Sequence, residues 1–389
     1  MSSPRAGVAI VALVAARLVY AVNWLNIGPI YGLMKSEIGG GVVGLGVITG
    51  AFYLGLGVMQ VPGGLLASRL GPKKVASVGI VMSSFAVLGT ALSGSVAEST
   101  VFRFVVGAGM AFTFAPAVSI VSSLVKKERS GLGVGIYNAA FDVGGLAGLF
   151  GWVVLAESIG WRTSIGLGGV LGIATGVLVF LMVPRDERQG EGRSVVEPLK
   201  AIVKDRRLGL VGLSVMGTSI SVSLVSTFIV LYAVESLHTV TALAGLVGSF
   251  VFGVGIFSAI VGGRMYDRTR SPRRLMFIAN AVGASSLALF AVPALWAAIV
   301  GTLVLGTSSG IAFTIAFASG KDLQKAGRNH DSLAISWVNC LSLLGAFWPP
   351  LVFSYIVDSV GYSYAWLWGA VVSLLLTVPL LVLWKSDSG

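Results

Sequence analysis

GGLLASRLGPKK, residues 63–74, separates two apolar runs that are each long enough to cross a bilayer. Small residues close the first run, and Gly71-Pro72 with Arg69, Lys73 and Lys74 opens the next. About 199 positions later GGRMYDRTRSPRR, residues 262–274, stands in the same setting. At that offset Gly64 aligns with Gly263, Arg69 with Arg268 and Lys74 with Arg273. A basic turn repeated at half the chain length divides the sequence into two halves of like orientation, each with its turn after the second span.

Composition agrees. Of 389 residues, 55% are hydrophobic and only 11% charged, against about 25% charged in a soluble domain. The fold class is therefore an all-α polytopic membrane protein whose partner is the lipid bilayer. A pI near 9.9 would suggest nucleic acid in a soluble chain, but here the basic residues fall in short loops, so no nucleic-acid partner is expected. The single Cys340 excludes an internal disulfide framework. After Arg5, the apolar stretch from Gly7 to Leu33 is too long for a signal-peptide core and reads as a retained first span.

About 12 transmembrane helices can be drawn, at 6–33, 41–67, 75–94, 99–125, 131–156, 163–183, 208–235, 241–266, 273–292, 294–319, 332–357 and 363–384. They form two pseudo-symmetric six-helix bundles, residues 1–183 and 208–389, joined by a mixed-charge cytoplasmic linker over 184–207. With both termini cytoplasmic, every Lys and Arg lies inside except Lys35 and Arg162 outside and Arg17 and Arg103 within spans. That bias sets the expected orientation in the cell membrane. The repeat also pairs Glu157–Trp161 with Asp358–Tyr362, Asn138 with Asn339 and Gly107 with Gly306. Gly144 and Gly148 have the small-xxx-small spacing of close helix contact.

The two turns resemble the signature of the major facilitator superfamily of secondary transporters, roughly Gly-x-Leu-Ala-Asp-Arg-x-Gly-Arg-Lys. Gly64, Leu66, Ala67, Arg69, Gly71, Lys73 and Lys74 fit it, while Ser68 and Pro72 replace the Asp and Arg. The second copy keeps the acid as Asp267, followed by Arg268. Arg103 with Gly107 and Gly109 resembles the family's helix 4 motif, whose Arg the resemblance links to proton coupling; a snorkelling Arg is the other reading. The family's antiport motif in helix 5 is only partly matched, with Leu149 where a Pro would follow. The resemblance implies two halves that rock about a central site lined by helices 1, 4, 7 and 10. It also implies a cytoplasmic latch, here Gly64, Ser68, Arg69 and Gly71 in one copy and Asp267 with Arg268 in the other. Asp331, at the start of span 11, can cap its own helix; Asp267–Arg268 is then the stronger side of the latch and Ser68 the weaker.

Intramembrane charge is costly, about 2.5–3.5 kcal/mol per group on insertion scales, and marks function. Arg17 shares a stripe of span 1 with Tyr20, Trp24 and Tyr31, bordered by Asn23. At 1.5 Å per residue Arg17 and Asp142 lie roughly 24 and 21 Å from the outer ends of their spans, which suggests an ion pair. Asn138 stands one turn before Asp142. Either Arg17 binds an anionic substrate group while Asp142 exchanges a proton, or the two form a structural pair. The second half offers Ser332, Ser336, Asn339 and Ser342 on span 11 and a Ser/Thr-rich span 7, whose polar faces suggest a wet cavity. The stripe Thr49, Tyr53 and Gln60 on span 2 suits packing or gating.

Enzyme signatures fail. Gly306–Gly310 has Gly-x-Ser-x-Gly spacing inside an apolar helix, without the preceding strand that motif needs. Two histidines and one cysteine cannot assemble a metal centre, and no cofactor is implied. The expected protein is a monomeric secondary transporter taking up a small anion with protons. Proton-coupled efflux of hydrophobic or cationic compounds is the alternative, and a non-transporting membrane sensor or scaffold the reading from another class.

Overall fold

The computed structural model describes residues 4–125, 130–184, 196–269, 272–323 and 331–383. Among these there is no strand, and eleven helices are long and apolar enough to cross a membrane. A shorter apolar helix, Tyr362–Leu375, occupies the twelfth place. The chain divides into two compact units, Met1–Val195 and Val196–Gly389.

The first unit holds α1 (Pro4–Trp24), α2 (Tyr31–Ile38), α3 (Gly41–Leu70), α4 (Pro72–Leu92), α5 (Val96–Leu124), α6 (Ser130–Ile159) and α7 (Trp161–Met182). The second holds α8 (Val196–Lys204), α9 (Arg206–Ser236), α10 (Thr241–Thr269), α11 (Pro272–Ser286), α12 (Leu295–Leu323), α13 (Asp331–Gly345), α14 (Pro349–Val360), α15 (Tyr362–Leu375) and α16 (Val378–Leu383). In each unit the end at which its first span starts is called proximal and the opposite end distal.

Four expected spans are interrupted; in the ninth, α11 gives way after Ser286 to a 3-10 turn over Leu287–Ala291. The first ends at Trp24, a 3-10 turn covers Gly28–Ile30, and the chain resumes as the short α2. Tyr31 therefore belongs to α2, not to the α1 stripe. The break falls at Gly28-Pro29, where a flexible Gly precedes a Pro that lacks the N–H; Pro62 and Pro116 stay inside α3 and α5. Span 11 breaks between Gly345 and Pro349 ahead of a Pro-Pro pair, and span 12 turns at Leu376–Thr377. Within the expected linker, α8 is helical and seats Ile202 in the second unit's core with Leu208, Val211 and Val338. The linker's residues 185–195 lie outside the described residues.

The packing plan repeats. In the first unit α3 and α4 lie along α5, α7 lies along α4, and α1 packs on α6 and α7. In the second, α10 and α11 lie along α12, α15 contacts α11, and α9 packs on α13 and α15. The crossings are made by glycines at equivalent places. A Cβ on Gly107 would overlap the Phe52 carbonyl of α3, and one on Gly306 would come within 2.5 Å of the Val251 carbonyl of α10. Gly63 meets α5 at Ala111–Phe112, and Gly262 meets α12 at Ile311. Gly144 touches the backbone of α1 at Leu18. Backbone-to-backbone approach of this kind supplies the van der Waals contact that holds helices together in lipid. At the proximal turn Gly71 has φ +91°, a conformation L side chains rarely adopt; its counterpart falls at residues 270–271, outside the described residues.

Gly306→Ala should therefore lower the detergent-solubilised protein's stability by about 1–3 kcal/mol through overpacking. Gly64→Ala, with nothing within 4 Å of the added methyl, should leave it unchanged or raised. Thermal unfolding of the two variants compares them directly, and equal losses would refute the backbone-contact account.

Candidate functional site

Positions 17, 20 and 24 recur on one stripe of α1, since three and four residues make about one turn. The stripe carries Arg17, Tyr20 and Trp24 into an aromatic cluster built by three other helices. Trp24 meets Phe52 and Tyr53 of α3 and Phe141 of α6, with ring centroids 5.0, 5.7 and 5.3 Å away. Its indole Nε1 donates to the Tyr53 hydroxyl at 3.3 Å. Tyr20 is buried beside Trp24 and Phe141.

Arg17 is 7% exposed and surrounded by rings. Its guanidinium carbon lies 4.6 Å from the centroids of Tyr20 and Phe141, 4.8 Å from Phe114 and 5.2 Å from Tyr137. Desolvated cation–π contacts are worth up to about 2 kcal/mol each, so four rings offset an insertion cost of about 2.5–3.5 kcal/mol. The rings satisfy the charge but not the hydrogen-bonding fork: Nε and Nη1 are buried and have no acceptor. The ion pair expected from depth is not formed, for among the described residues Arg17 and Asp142 make no salt bridge within 4 Å. Asp142 and Asn138 are both half-buried on α6.

Arg103 has the opposite character. At 2% exposure it is too enclosed to snorkel. Nη1 donates to Asn23 O at 3.2 Å and to Asn26 Oδ1 at 3.0 Å, and Nη2 donates to Trp24 O at 3.1 Å. The Phe52 ring lies 4.4 Å from its guanidinium carbon. Arg103 thus closes the C-terminal end of α1, where carbonyls lack intrahelical donors and the helix dipole is negative. Trp152 Nε1 takes a neighbouring carbonyl, Val22 O, at 2.7 Å. Asn23 is 4% exposed; its Nδ2 donates to Gly168 O of α7 at 2.9 Å, and its Oδ1 is buried without a partner. Asn26 escaped sequence reading because the helix break that gives it a partner was not foreseen.

In the second unit Ser336 and Asn339 are half-buried on α13, and Asn339 O accepts from Ser342 Oγ at 2.8 Å. Of the α9 hydroxyls, Ser223 Oγ is buried without a partner, while others are engaged. Ser214 and Thr218 both bond Asn280 of α11, which is fully buried, and Ser221 returns its proton to Gly217 O of its own helix. Asn280, a lone amide in an apolar span, was the missed signal. Of the latch residues, Ser68 is exposed and donates to Leu65 O of its own helix, while Arg69, Asp267 and Arg268 are exposed. Asp331 opens α13, but its side chain lies outside the described residues.

Two six-span units with one packing plan, proximal basic turns and a buried arginine in the first span define a membrane carrier. The sequence matches the Major Facilitator Superfamily over residues 13–328, and the chain belongs to that family of secondary transporters. It is 24% identical to the nitrite extrusion protein of Bacillus subtilis (strain 168), over 84% of this chain and 81% of the relative. It is 23% identical to the probable nitrate transporter NarT of Staphylococcus aureus (strain bovine RF122 / ET3-1), over 88% and 86%. In fold it is similar to the xylose transporter XylE from E. coli in a partially occluded inward-open conformation, with TM-score 0.76, 12% identity and coverage of 98% of this chain and 100% of that one.

Replacing Arg103 with Ala strands two carbonyls of α1 and the Asn26 amide. Loss of charged hydrogen bonds of about 1.5–3 kcal/mol each should give a large drop in unfolding temperature in detergent. Arg103→Lys should recover only part of it, because an ammonium lacks the planar fork. Wild-type unfolding by Arg103→Ala would refute the capping role.

Proposed function

We propose that this transporter takes up a small organic or inorganic anion together with protons, and that Arg17 is its anion ligand. The observation that carries the reading is the pair of buried, unpartnered donors on Arg17. A buried polar group is ordinarily hydrogen-bonded, so two buried donors without acceptors on a guanidinium whose charge the rings offset favour an anionic ligand there. Two relatives are named for nitrite or nitrate, small planar anions whose oxygens suit a bidentate guanidinium. Asp142, half-buried on the helix that supplies Tyr137 and Phe141, is the proposed proton carrier. The aromatic cluster would by itself suit a hydrophobic cation and hence efflux. Its faces around Arg17, however, are already filled by the chain's own cation, and a second positive charge there would be repelled.

The proposed topology places both termini and the proximal turns in the cytoplasm. In a Cys340→Ala background, a cysteine replacing Glu98 should react with an impermeant maleimide from outside and one replacing Gly190 only from inside; reaction of both from inside would overturn the map. The proposed latch is asymmetric, with Asp267 and Arg268 dominant and Ser68 lacking the acid. Asp267→Asn should raise inward-open accessibility more than Ser68→Ala, read by vestibule cysteine labelling; equal shifts would remove the asymmetry.

Uptake into proteoliposomes from a panel of carboxylates and inorganic oxyanions tests the substrate class. Arg17→Ala and Arg17→Lys should both abolish uptake, the second because the fork is lost while the charge is kept. Asp142→Asn should retain binding but lose dependence on a proton gradient. Uptake by Arg17→Ala at the wild-type rate would end the anion-ligand reading.

A further inference from the structure

The distal ends of the two units carry the same small device, and neither the family signature nor the proposed transport site uses it. In the first unit Glu37, near the end of α2, is held by the first two residues of α7. Trp161 Nε1 donates to Glu37 Oε1 at 2.9 Å, and Arg162 Nε donates to Oε2 at 3.1 Å. Arg162 Nη1 also donates to Ala91 O at 2.9 Å and Ser93 O at 2.8 Å, the open carbonyls at the end of α4. In the second unit Tyr362, first residue of α15, donates to Glu235 Oε2 of α9 at 2.8 Å. Ser363 donates to Ala291 O at 2.9 Å, at the end of span 9. Tyr232 of α9 donates to the neighbouring Phe290 O at 2.7 Å.

The correspondence is residue by residue. Trp161 and Tyr362 follow Gly160 and Gly361, which both have positive φ, +82° and +95°, and so turn the chain sharply into the last span of each unit. The aromatic donor then faces a glutamate at the distal end of the first span or its continuation. The next residue, Arg162 or Ser363, caps the carbonyl end of the third span. Each device thus ties spans 1, 3 and 6 of its own unit at one end.

We propose that these are duplicated carboxylate clasps, which keep the distal end of the first span fixed to its own bundle while the transporter changes conformation. In the first unit the clasped segment is the non-helical stretch and α2, residues 25–38, which follows directly on Trp24. That segment needs an external tie, because no continuous helix carries it. In the second unit α9 runs unbroken to Ser236, and the Tyr362 hydroxyl joins Glu235 to the start of α15. The Glu37 carboxyl is held below the ordinary glutamate range, first by the Trp161 hydrogen bond and then by Arg162, so at neutral pH it is the charged form that is clasped. Glu37 and Arg162 are half-exposed to solvent, and an exposed ion pair alone is weak; the hold comes from four hydrogen bonds converging on two adjacent residues.

The test uses the full chain in detergent without substrate, so its outcome is independent of orientation and of the anion reading. Met34, in α2, is fully buried; Met34→Cys in the Cys340→Ala background is the reporter, and the reagent is a small water-soluble maleimide. Glu37→Gln and Arg162→Ser should each speed labelling about five-fold, the effect of roughly 1 kcal/mol on a local equilibrium. The double variant should react no faster than Arg162→Ser alone, because one device has been opened twice. Glu235→Gln, in the other unit, should leave the rate at position 34 unchanged. Unaltered labelling in both single variants, multiplying effects in the double, or an equal rise from Glu235→Gln would each overturn the clasp. If Glu37→Gln does not fold, Arg162→Ser against Glu235→Gln decides.

Discussion

A chain in lipid must satisfy every backbone polar group within itself, and the end of α1 is where this chain meets that demand by side chains. Gly28-Pro29 stops the helix, leaving carbonyls at Val22, Asn23 and Trp24 without intrahelical donors. Trp152 takes the first and Arg103 the other two. Burying a guanidinium costs several kcal/mol, but here it faces the negative end of a helix, a side-chain amide and the Phe52 ring. The cost of the cation and the cost of the broken helix offset each other. With α1's end pinned, Tyr20 and Trp24 are held against α3 and α6, and the surroundings of Arg17 are set.

The two buried arginines of the first unit then separate by a single criterion. Arg103 spends Nη1 and Nη2 on the chain and leaves only Nε without an acceptor. Arg17 satisfies its charge with four ring faces, which accept no conventional hydrogen bond in the guanidinium plane, and keeps Nε and Nη1 free. Burial alone would have ranked Arg103 above Arg17 as a functional candidate. The distinction lies in where the donors point, and that depends on partners far away in sequence.

That dependence marks what could be read from the residues and what could not. The paired basic turns, the span lengths and the aligned Gly107 and Gly306 are local or periodic signals. They carried the fold, and the structure puts Gly107 and Gly306 at the same backbone crossing in their own units. The Arg17–Asp142 pair rests on similar depth and on the family's pairing of spans 1 and 5; neither says which side chains face each other. Tyr31 was placed on the α1 stripe because periodicity was extended through Gly28-Pro29, a stop that the sequence itself contains. Asn280 and Asn26 were passed over because an amide is informative only through its partners. Gly64, which fits the family turn, has open space around it, while its neighbour Gly63 makes the close contact.

The halves share a packing plan but differ in chemistry. Within the described spans the first unit buries Arg17 and Arg103 among aromatic rings, whereas the second buries hydroxyls and one amide that bond mainly to each other or to their own helices. A hydroxyl bonded to its own helix carbonyl adds little field, so the strong electrostatic feature belongs to one unit. A carrier with matched charges in both halves would hold its solute from two sides with comparable force. On the anion reading proposed above, Arg17 is the fixed cation that meets the solute, and a monovalent anion would balance it. A divalent anion would need a further positive charge or a bound proton, which on that reading Asp142, half-buried on the helix that supplies Phe141, would hold. On that reading, proton dependence and preference for a single negative charge are two expressions of the same asymmetry.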